Sequence, residues 1–228
     1  MPEKGLNASY WWTIQGQWVE DVNQRRGGTS GIQRIVDADS GSFYYVKRQV
    51  NHLYRDLRFP SGRPTLLREW LNLHKCAELG VPTAAPVFFD MRKGASGWEA
   101  ILVTRGLDGY FSIEDGVSRR MWTRAQWREI LIALAHAIAP LHRARRKHGH
   151  LYPKEVFVRT SPTIAIALLD WEIGRYVGRR RWAAQSDLAR LWRSLASLGV
   201  SGDDRRAFLS HYESITGIRD LKLRGVPR

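Results

Sequence analysis

The sequence predicts an α+β fold, a small antiparallel β lobe carrying one helix and then a mostly helical lobe. Three observations predict it. Through residue 104 the chain holds short alternating or apolar runs separated by turn residues, the pattern of strands joined by hairpins. From Thr123 onward, apolar residues recur at helical spacing in three long stretches. Between the first and second of these, His148 to Glu172 reads as a polar loop, an apolar run from Val156 to Val158, a turn, and a second run from Ile164 to Leu169 that ends in a lone carboxylate, Asp170. Two short buried strands would carry polar groups out of their flanking loops. The twenty positions from His150 to Asp170 suffice for loop, hairpin and loop, so both side chains can reach one small site.

At 228 residues and 43% hydrophobic composition, the chain can bury a sizeable core and is not a disordered polymer. Its single cysteine, Cys76, excludes an intramolecular disulfide and suits a reducing compartment; within L-H-K-C-A-E-L it reads as a buried small residue. The N-terminal M-P-E-K-G-L-N-A-S-Y-W-W has no apolar signal core, and the longest apolar stretch, Ile130 to Ala139, is interrupted by His136. The expectation is a cytoplasmic protein without a membrane span. Thirty-six Lys and Arg against 22 Asp and Glu leave a net charge of +14. Such a field suits nucleic acid, an anionic membrane surface or a phosphorylated substrate. Nucleic acid is the weakest of these, because no RNA-recognition or zinc signature is present and the cations are scattered over many elements. Ten Trp among the Lys and Arg suit a membrane interface, although Trp also fills cores.

Residues 1 to 17 read as a lead-in whose Tyr10, Trp11 and Trp12 can dock on the β lobe. N-Q-R-R-G-G-T-S-G-I-Q-R-I-V predicts a loop containing Gly27, Gly28 and Gly31 between two strands, then a turn over Asp37 to Gly41 and a third strand carrying Lys47. An ordinary hairpin would use the same glycines; Lys47 on the adjoining strand tilts the loop towards holding phosphate, which backbone N–H groups and an ammonium neutralise together. Asn51 to Arg63 is a polar connection. Pro64 opens a helix that runs through Leu79 and stops at Gly80, with Pro82 beyond. Leu66, Trp70, Leu73 and Ala77 form its apolar stripe, and Glu69 falls on the same face. A buried carboxylate needs a partner. Lys47 is the candidate, with Arg68 or Lys75 at the edge of the stripe as the alternative.

Strands over Ala85 to Met91 and Trp98 to Thr104 flank the turn R-K-G-A-S-G, and Arg105 to Gly109 reads as the hinge between a first lobe over residues 1–107 and a second over 108–228. Thr123 with Gln126 forms a capping box for a helix whose Trp127, Ile130, Leu131, Leu134, Ile138 and Leu141 face inward. Its end, H-R-A-R-R-K-H-G, is either a solvated, dipole-stabilised set of cations or a phosphate-binding patch. After Glu172, G-R-Y-V-G-R-R-R-W reads as a short basic loop in which Arg179 to Arg181 beside Trp182 serve an anionic head group or are merely solvated. Ser186 to Leu198 is amphipathic, Ser201 caps a last helix from about Asp203 to Ile215, and the tail past Gly217 is expected to fray.

The layout H-G-H-L-Y-P-K-E-V-F-V with L-L-D-W-E resembles the catalytic loop and metal-binding segment of protein-kinase-like phosphotransferases, H-R-D-L-x-x-x-N followed by D-F-G. On that template His148 takes the first His, His150 the catalytic Asp, Leu151 the Leu, Glu155 the Asn and Asp170 the metal-binding Asp. Together with R-E-W-x-x-L-x-x-x-x-E-L-G-V-P-T, the pattern is most similar to the lipopolysaccharide core kinases that act on Kdo or heptose, and within them to the InaA-like subgroup. The similarity spans roughly Asn23 to Tyr212. It implies a protein-kinase-like bilobal fold and an ATP-dependent kinase using Mg2+. The implied acceptor is a sugar of the lipopolysaccharide core or another anionic glycolipid, at the cytoplasmic face of the inner membrane. It also implies site roles: Gly27, Gly28, Gly31 and Lys47 on nucleotide phosphates, Glu69 paired with Lys47, and Asp170 with Glu155 on the metal. Asp187 would support the loop backbone, a plain helix N-terminal Asp being the alternative. Spacing and composition by themselves reach only a basic, phosphate-handling α+β domain.

The departure from the template is His150. A neutral imidazole can accept a proton near pH 7, but it lacks the negative charge that orients a hydroxyl beside a metal ion. Either His150 is the base, or the chain is a kinase-like protein that binds nucleotide or an anionic glycolipid without transfer. His148 reads as a structural hydrogen bond to the loop backbone.

Overall fold

Four long strands organise the N-terminal part of the chain. The structure, a computed structural model, describes residues 7–19, 22–25, 28–37 and 41–226. It divides into two compact units, Met1–His74 with Ala84–Leu107 and Lys75–Thr83 with Asp108–Arg228.

The first unit contains α1 (Ala8–Thr13), β1 (Gln17–Trp18), β2 (Asn23–Arg25), β3 (Gly28–Val36), β4 (Phe43–Val50), β5 (Leu53–Tyr54), β6 (Arg63–Pro64), most of α2 (Thr65–Leu79), β7 (Pro86–Gly94) and β8 (Gly97–Arg105). An antiparallel sheet runs β1-β3-β4-β8-β7, with β2 also on β3. Its core is Trp11, Ile35, Tyr44, Val46, Ile101 and Val103. From Asn7 the lead-in docks on this sheet: Asn7 caps α1, Trp11 is 1% exposed against Tyr44, and Arg48 donates to the carbonyls of Trp11 and Ile14 at 2.9 and 2.6 Å.

Helix α2 starts after Pro64 and ends at Gly80, whose φ of +70° suits a residue without a Cβ. Its buried stripe differs from the expected one. Leu66, Glu69, Leu73 and Cys76 face inward, Ala77 is exposed, and Trp70 is half-buried and stacked on Phe89. A helix of 3.6 residues per turn can continue from Leu73 through i+3 as readily as through i+4, and the chain uses i+3.

The second unit adds β9 (Phe111–Ser112), α3 (Ile113–Ser118), α4 (Arg124–Arg143), β10 (Arg146–Lys147), a single 3-10 turn (Pro153–Glu155), β11 (Val156–Arg159), β12 (Ala165–Leu168), β13 (Arg175–Tyr176), α5 (Arg180–Ser197) and α6 (Gly202–Thr216). The Thr123 capping box is formed, and Trp127, Ile130, Leu131, Leu134, Ile138 and Leu141 are buried as their spacing requires. Helix α4 packs on α5, α6 and β12. Strands β11 and β12 form the expected hairpin, Val156 opposite Leu168, with β9 on the other side of β11.

Three expectations change here. Helix α5 begins at Arg180, six residues before Ser186, so Arg180 to Trp182 form its first turn rather than a loop. At the end of α4, Arg146 and Lys147 pair with β13, and Lys147 is 8% exposed rather than solvated. The tail is tied down beyond Gly217: Ile218 is buried, Arg181 donates to the Asp220 carbonyl at 2.5 Å, and Gln185 to that of Lys222 at 2.9 Å.

Candidate active site

In the first unit, Lys47 stands mid-strand in β4, opposite Ile32 on β3 and Leu102 on β8. Its ammonium meets the Glu69 carboxylate of α2 at 3.0 Å, with side-chain exposures of 20% and 10%. The alternative partner Lys75 pairs with Glu78 instead. Paired and mostly out of water, both charges are held in fixed positions, which a lone buried carboxylate would not be.

Gly27 lies outside the described residues. Gly28 and Gly31 belong to strand β3 rather than to a loop, opposite Arg25 and Arg48 respectively. Their lack of a side chain has local causes. A Cβ on Gly28 would lie 2.7 Å from the backbone of Asn51, and one on Gly31 2.5 Å from the Trp18 ring.

In the second unit the loop from His148 to Tyr152 is fixed from below. His148 is fully buried; its Nε2–H donates to the Leu169 carbonyl at 2.8 Å, and its Nδ1 accepts from the His150 N–H at 3.2 Å. The ring lies 4.3 Å from Trp171, whose indole N–H reaches the Leu168 carbonyl and Thr83. Burial drives this imidazole below its ordinary range despite the nearby Asp187 and Asp170 carboxylates, so it is a neutral strut.

Asp187 holds the same loop by its backbone. One oxygen accepts from the His148 N–H at 2.6 Å and the other from the Gly149 N–H at 2.9 Å. The first also meets His142 Nε2 at 3.2 Å, and His142 Nδ1 meets the Tyr212 hydroxyl at 2.7 Å. One consistent proton assignment runs through this fully buried chain: Tyr212 donates to His142, and His142 to Asp187. Burial alone would raise the Asp187 carboxyl. The hydrogen bonds from His142 first and then from the Gly149 N–H more than offset that, leaving it below the usual carboxylate range. Arg190, three residues further along α5, donates to the Gly149 carbonyl and lies over the Tyr152 ring at 5.4 Å.

The scaffold presents His150 and Asp170. The Leu169 N–H donates to the Glu155 carbonyl at 2.9 Å while its own carbonyl is held by His148, and Asp170 follows in the left-handed region at φ +62°, uncommon for a residue with a Cβ. Its carboxylate meets His150 Nδ1 at 2.5 Å; the His150 side chain is 45% exposed. A proton on Nδ1 leaves the Nε2 lone pair as the acceptor. Glu155, on the 3-10 turn, has its carboxyl pushed up by burial first and by the Asp170 charge second, although Lys154 sits 3.4 Å away. Two carboxylates close enough to feel each other's charge are oxygen donors of the kind a hard divalent cation takes. Among the described residues no group of three or more His, Cys, Asp or Glu is arranged to hold a metal; a cation that keeps its waters and takes phosphate oxygens needs only one or two carboxylates.

His150, Asp170 and Glu155 are thus brought together in one unit, and Lys47 with Glu69 in the other. Sequence reasoning missed His142, Tyr212 and Arg190. A signal existed for His142, which continues the inward phase of α4 four residues after Ile138, and for Tyr212, four after buried Phe208.

Comparison with known proteins fits this geometry. Residues 9–212 match the lipopolysaccharide kinase (Kdo/WaaP) family. The chain is 33% identical over 186 residues to Protein InaA of Escherichia coli (strain K12), covering 80% of this chain and 85% of that one. Its fold matches the solved structure of WaaP in complex with acyl carrier protein, with a TM-score of 0.66 at 20% identity over 93% of this chain and 83% of that one.

Proposed function

Because this chain belongs to the lipopolysaccharide kinase (Kdo/WaaP) family, we propose that it transfers the γ-phosphoryl group of ATP to a hydroxyl of a lipopolysaccharide core sugar, Kdo or heptose. The observation that carries this reading is the His150–Asp170 pair, on a loop whose His148 and Gly149 N–H groups are bound by Asp187. Asp170 fixes the ring with its proton on Nδ1, and Nε2 takes the proton of the acceptor hydroxyl as that oxygen attacks phosphorus and ADP leaves. Lys47, steadied by Glu69, supplies positive charge to the nucleotide phosphates. Asp170 and Glu155 would hold Mg2+, whose chemistry is to neutralise charge on the phosphates. Tyr176 and Trp182, each more than half exposed, and the net charge of +14 favour contact with an anionic inner-membrane surface. Among the described residues no helix is long and apolar enough to cross a membrane.

A second reading, a kinase-like protein that binds nucleotide or an anionic glycolipid without transfer, draws on one fact: His150 already occupies an oxygen of Asp170. Replacing His150 separates the two. Under the kinase reading His150→Ala keeps Mg·ATP binding by calorimetry and lowers turnover on core oligosaccharide by roughly 10²- to 10⁴-fold, the usual worth of a positioned base. Inactivity of the wild type with activity in His150→Asp would establish the binding protein instead.

A further inference from the structure

Strands β10 and β13 are two residues each, and their register sets Lys147 directly opposite Arg175, with Arg146 opposite Tyr176. Like charges facing each other across an antiparallel pair are unfavourable, yet the register is pinned by the Val177 N–H on the Arg145 carbonyl at 2.8 Å. Lys147 is 8% exposed. Its ammonium meets the Ser186 hydroxyl at 3.4 Å and the Trp182 ring at 5.3 Å, neither of which brings a negative charge. Asp187 is near enough to attract it, but its hydrogen bonds go to the loop N–H groups and His142 rather than to the ammonium. Burial, then the charge of Arg175 and also that of Arg190, hold the Lys147 ammonium below its ordinary range. Arg190 is anchored in turn to Gly149, the residue before His150.

Three cations from three elements therefore gather where the loop that presents His150 begins, and the one neighbouring acid is engaged by the loop N–H groups and His142 rather than in an ion pair with any of them. Mutual repulsion of this kind is relieved when an anion accepts hydrogen bonds from several of the cations at once. We propose that Lys147, Arg175 and Arg190 form an anion subsite that takes the carboxylate or phosphate group of the acceptor sugar and so selects acidic over neutral sugars. Its assignment to an acceptor sugar rests on the kinase reading; the binding of an anion does not.

Calorimetry on the full chain tests it, with four probes: inorganic phosphate, glucose 1-phosphate, free Kdo and neutral glucose. The phosphate and carboxylate probes distinguish the two anion sources. The wild type should bind at least one anionic sugar and not glucose. Arg175→Gln, at an exposed position that leaves the fold intact, should weaken that binding about tenfold or more, the worth of one charge-assisted hydrogen bond. Lys147→Met should do the same, its folding checked by circular dichroism, while Arg128→Gln on the exposed face of α4 should change affinity less than about twofold. Equal affinity in Arg175→Gln and wild type, or equal binding of glucose and the acidic sugars, overturns the subsite. Phosphoryl transfer with an unchanged acceptor KM in Arg175→Gln also overturns it while leaving the kinase reading intact. Anion binding through the cluster without transfer does the reverse.

Discussion

Replacing Asp187 by Asn keeps the shape of the side chain and removes its charge, in a place where three donors converge. The His148 N–H, Gly149 N–H and His142 Nε2 approach the carboxylate at 2.6, 2.9 and 3.2 Å. An amide offers one acceptor oxygen and an NH2 group that must face at least one of these donors. A buried donor left without a partner costs about 1–3 kcal/mol, and the remaining bonds lose charge assistance worth roughly 1 kcal/mol each, so Asp187→Asn should destabilise by about 3–5 kcal/mol. At a urea m-value of about 2 kcal/mol/M the midpoint falls by about 1.5–2.5 M. Asp203→Asn, at an exposed position on α6, should stay within about 0.5 kcal/mol. The folded-state pKa of Asp187 is depressed below its unfolded value of about 3.9, so its contribution is complete above about pH 4 and is lost as pH falls through the folded value. The gap between wild type and Asp187→Asn should therefore close on acidification. A midpoint shift below about 0.5 M at pH 7 would refute the claim that Asp187 holds the loop.

Tyr212→Phe removes the donor to His142 Nδ1 and should cost about 1–2 kcal/mol in urea denaturation; a neutral result would contradict the proton assignment along Tyr212, His142 and Asp187. Buried His148 has its pKa lowered on folding, so between that folded value and about 6.5 the unfolded chain binds more protons and stability rises with pH. The slope should be shallower in His148→Phe, and an equal slope would place the dependence on another group. The Cys76 thiol, 2% exposed and pushed up to about 12 by burial, should not react with a thiol reagent in the native protein and should react at once in urea; rapid native reaction would contradict its packing.

The features legible in sequence are those that local periodicity and single partners decide. Alternation located β4, turn residues bounding short runs located β3, β7 and β8, the Thr123–Gln126 spacing located the start of α4, and the inward phase of Glu69 anticipated its ion pair with Lys47. What escaped depends on distant partners. Arg179 to Trp182 look like loop because cations at a helix N-terminus oppose its dipole, yet α5 starts there, with Arg181 engaged by the Asp220 carbonyl. For Lys147 the sequence leaves a solvated helix end and a phosphate-binding patch open, because nothing in its neighbourhood announces a two-residue strand 28 positions before Arg175. The loop role of Asp187 was visible only through resemblance, since the three donors that define it come from the end of α4 and the start of the loop.

Transfer of labelled phosphate from ATP to purified core oligosaccharide, compared between wild type and Asp170→Ala in the presence of Mg2+, tests the central claim most directly. Asp170 meets His150 Nδ1 at 2.5 Å and its charge is felt by Glu155, so under the kinase reading its loss removes both the anchor of the proposed base and a carboxylate proposed for the cation. The wild type should label the oligosaccharide, and Asp170→Ala should lower that labelling by at least about 10²-fold while remaining folded. Labelling by Asp170→Ala at the wild-type rate, or none by the wild type on any Kdo- or heptose-bearing core, would contradict the assignment.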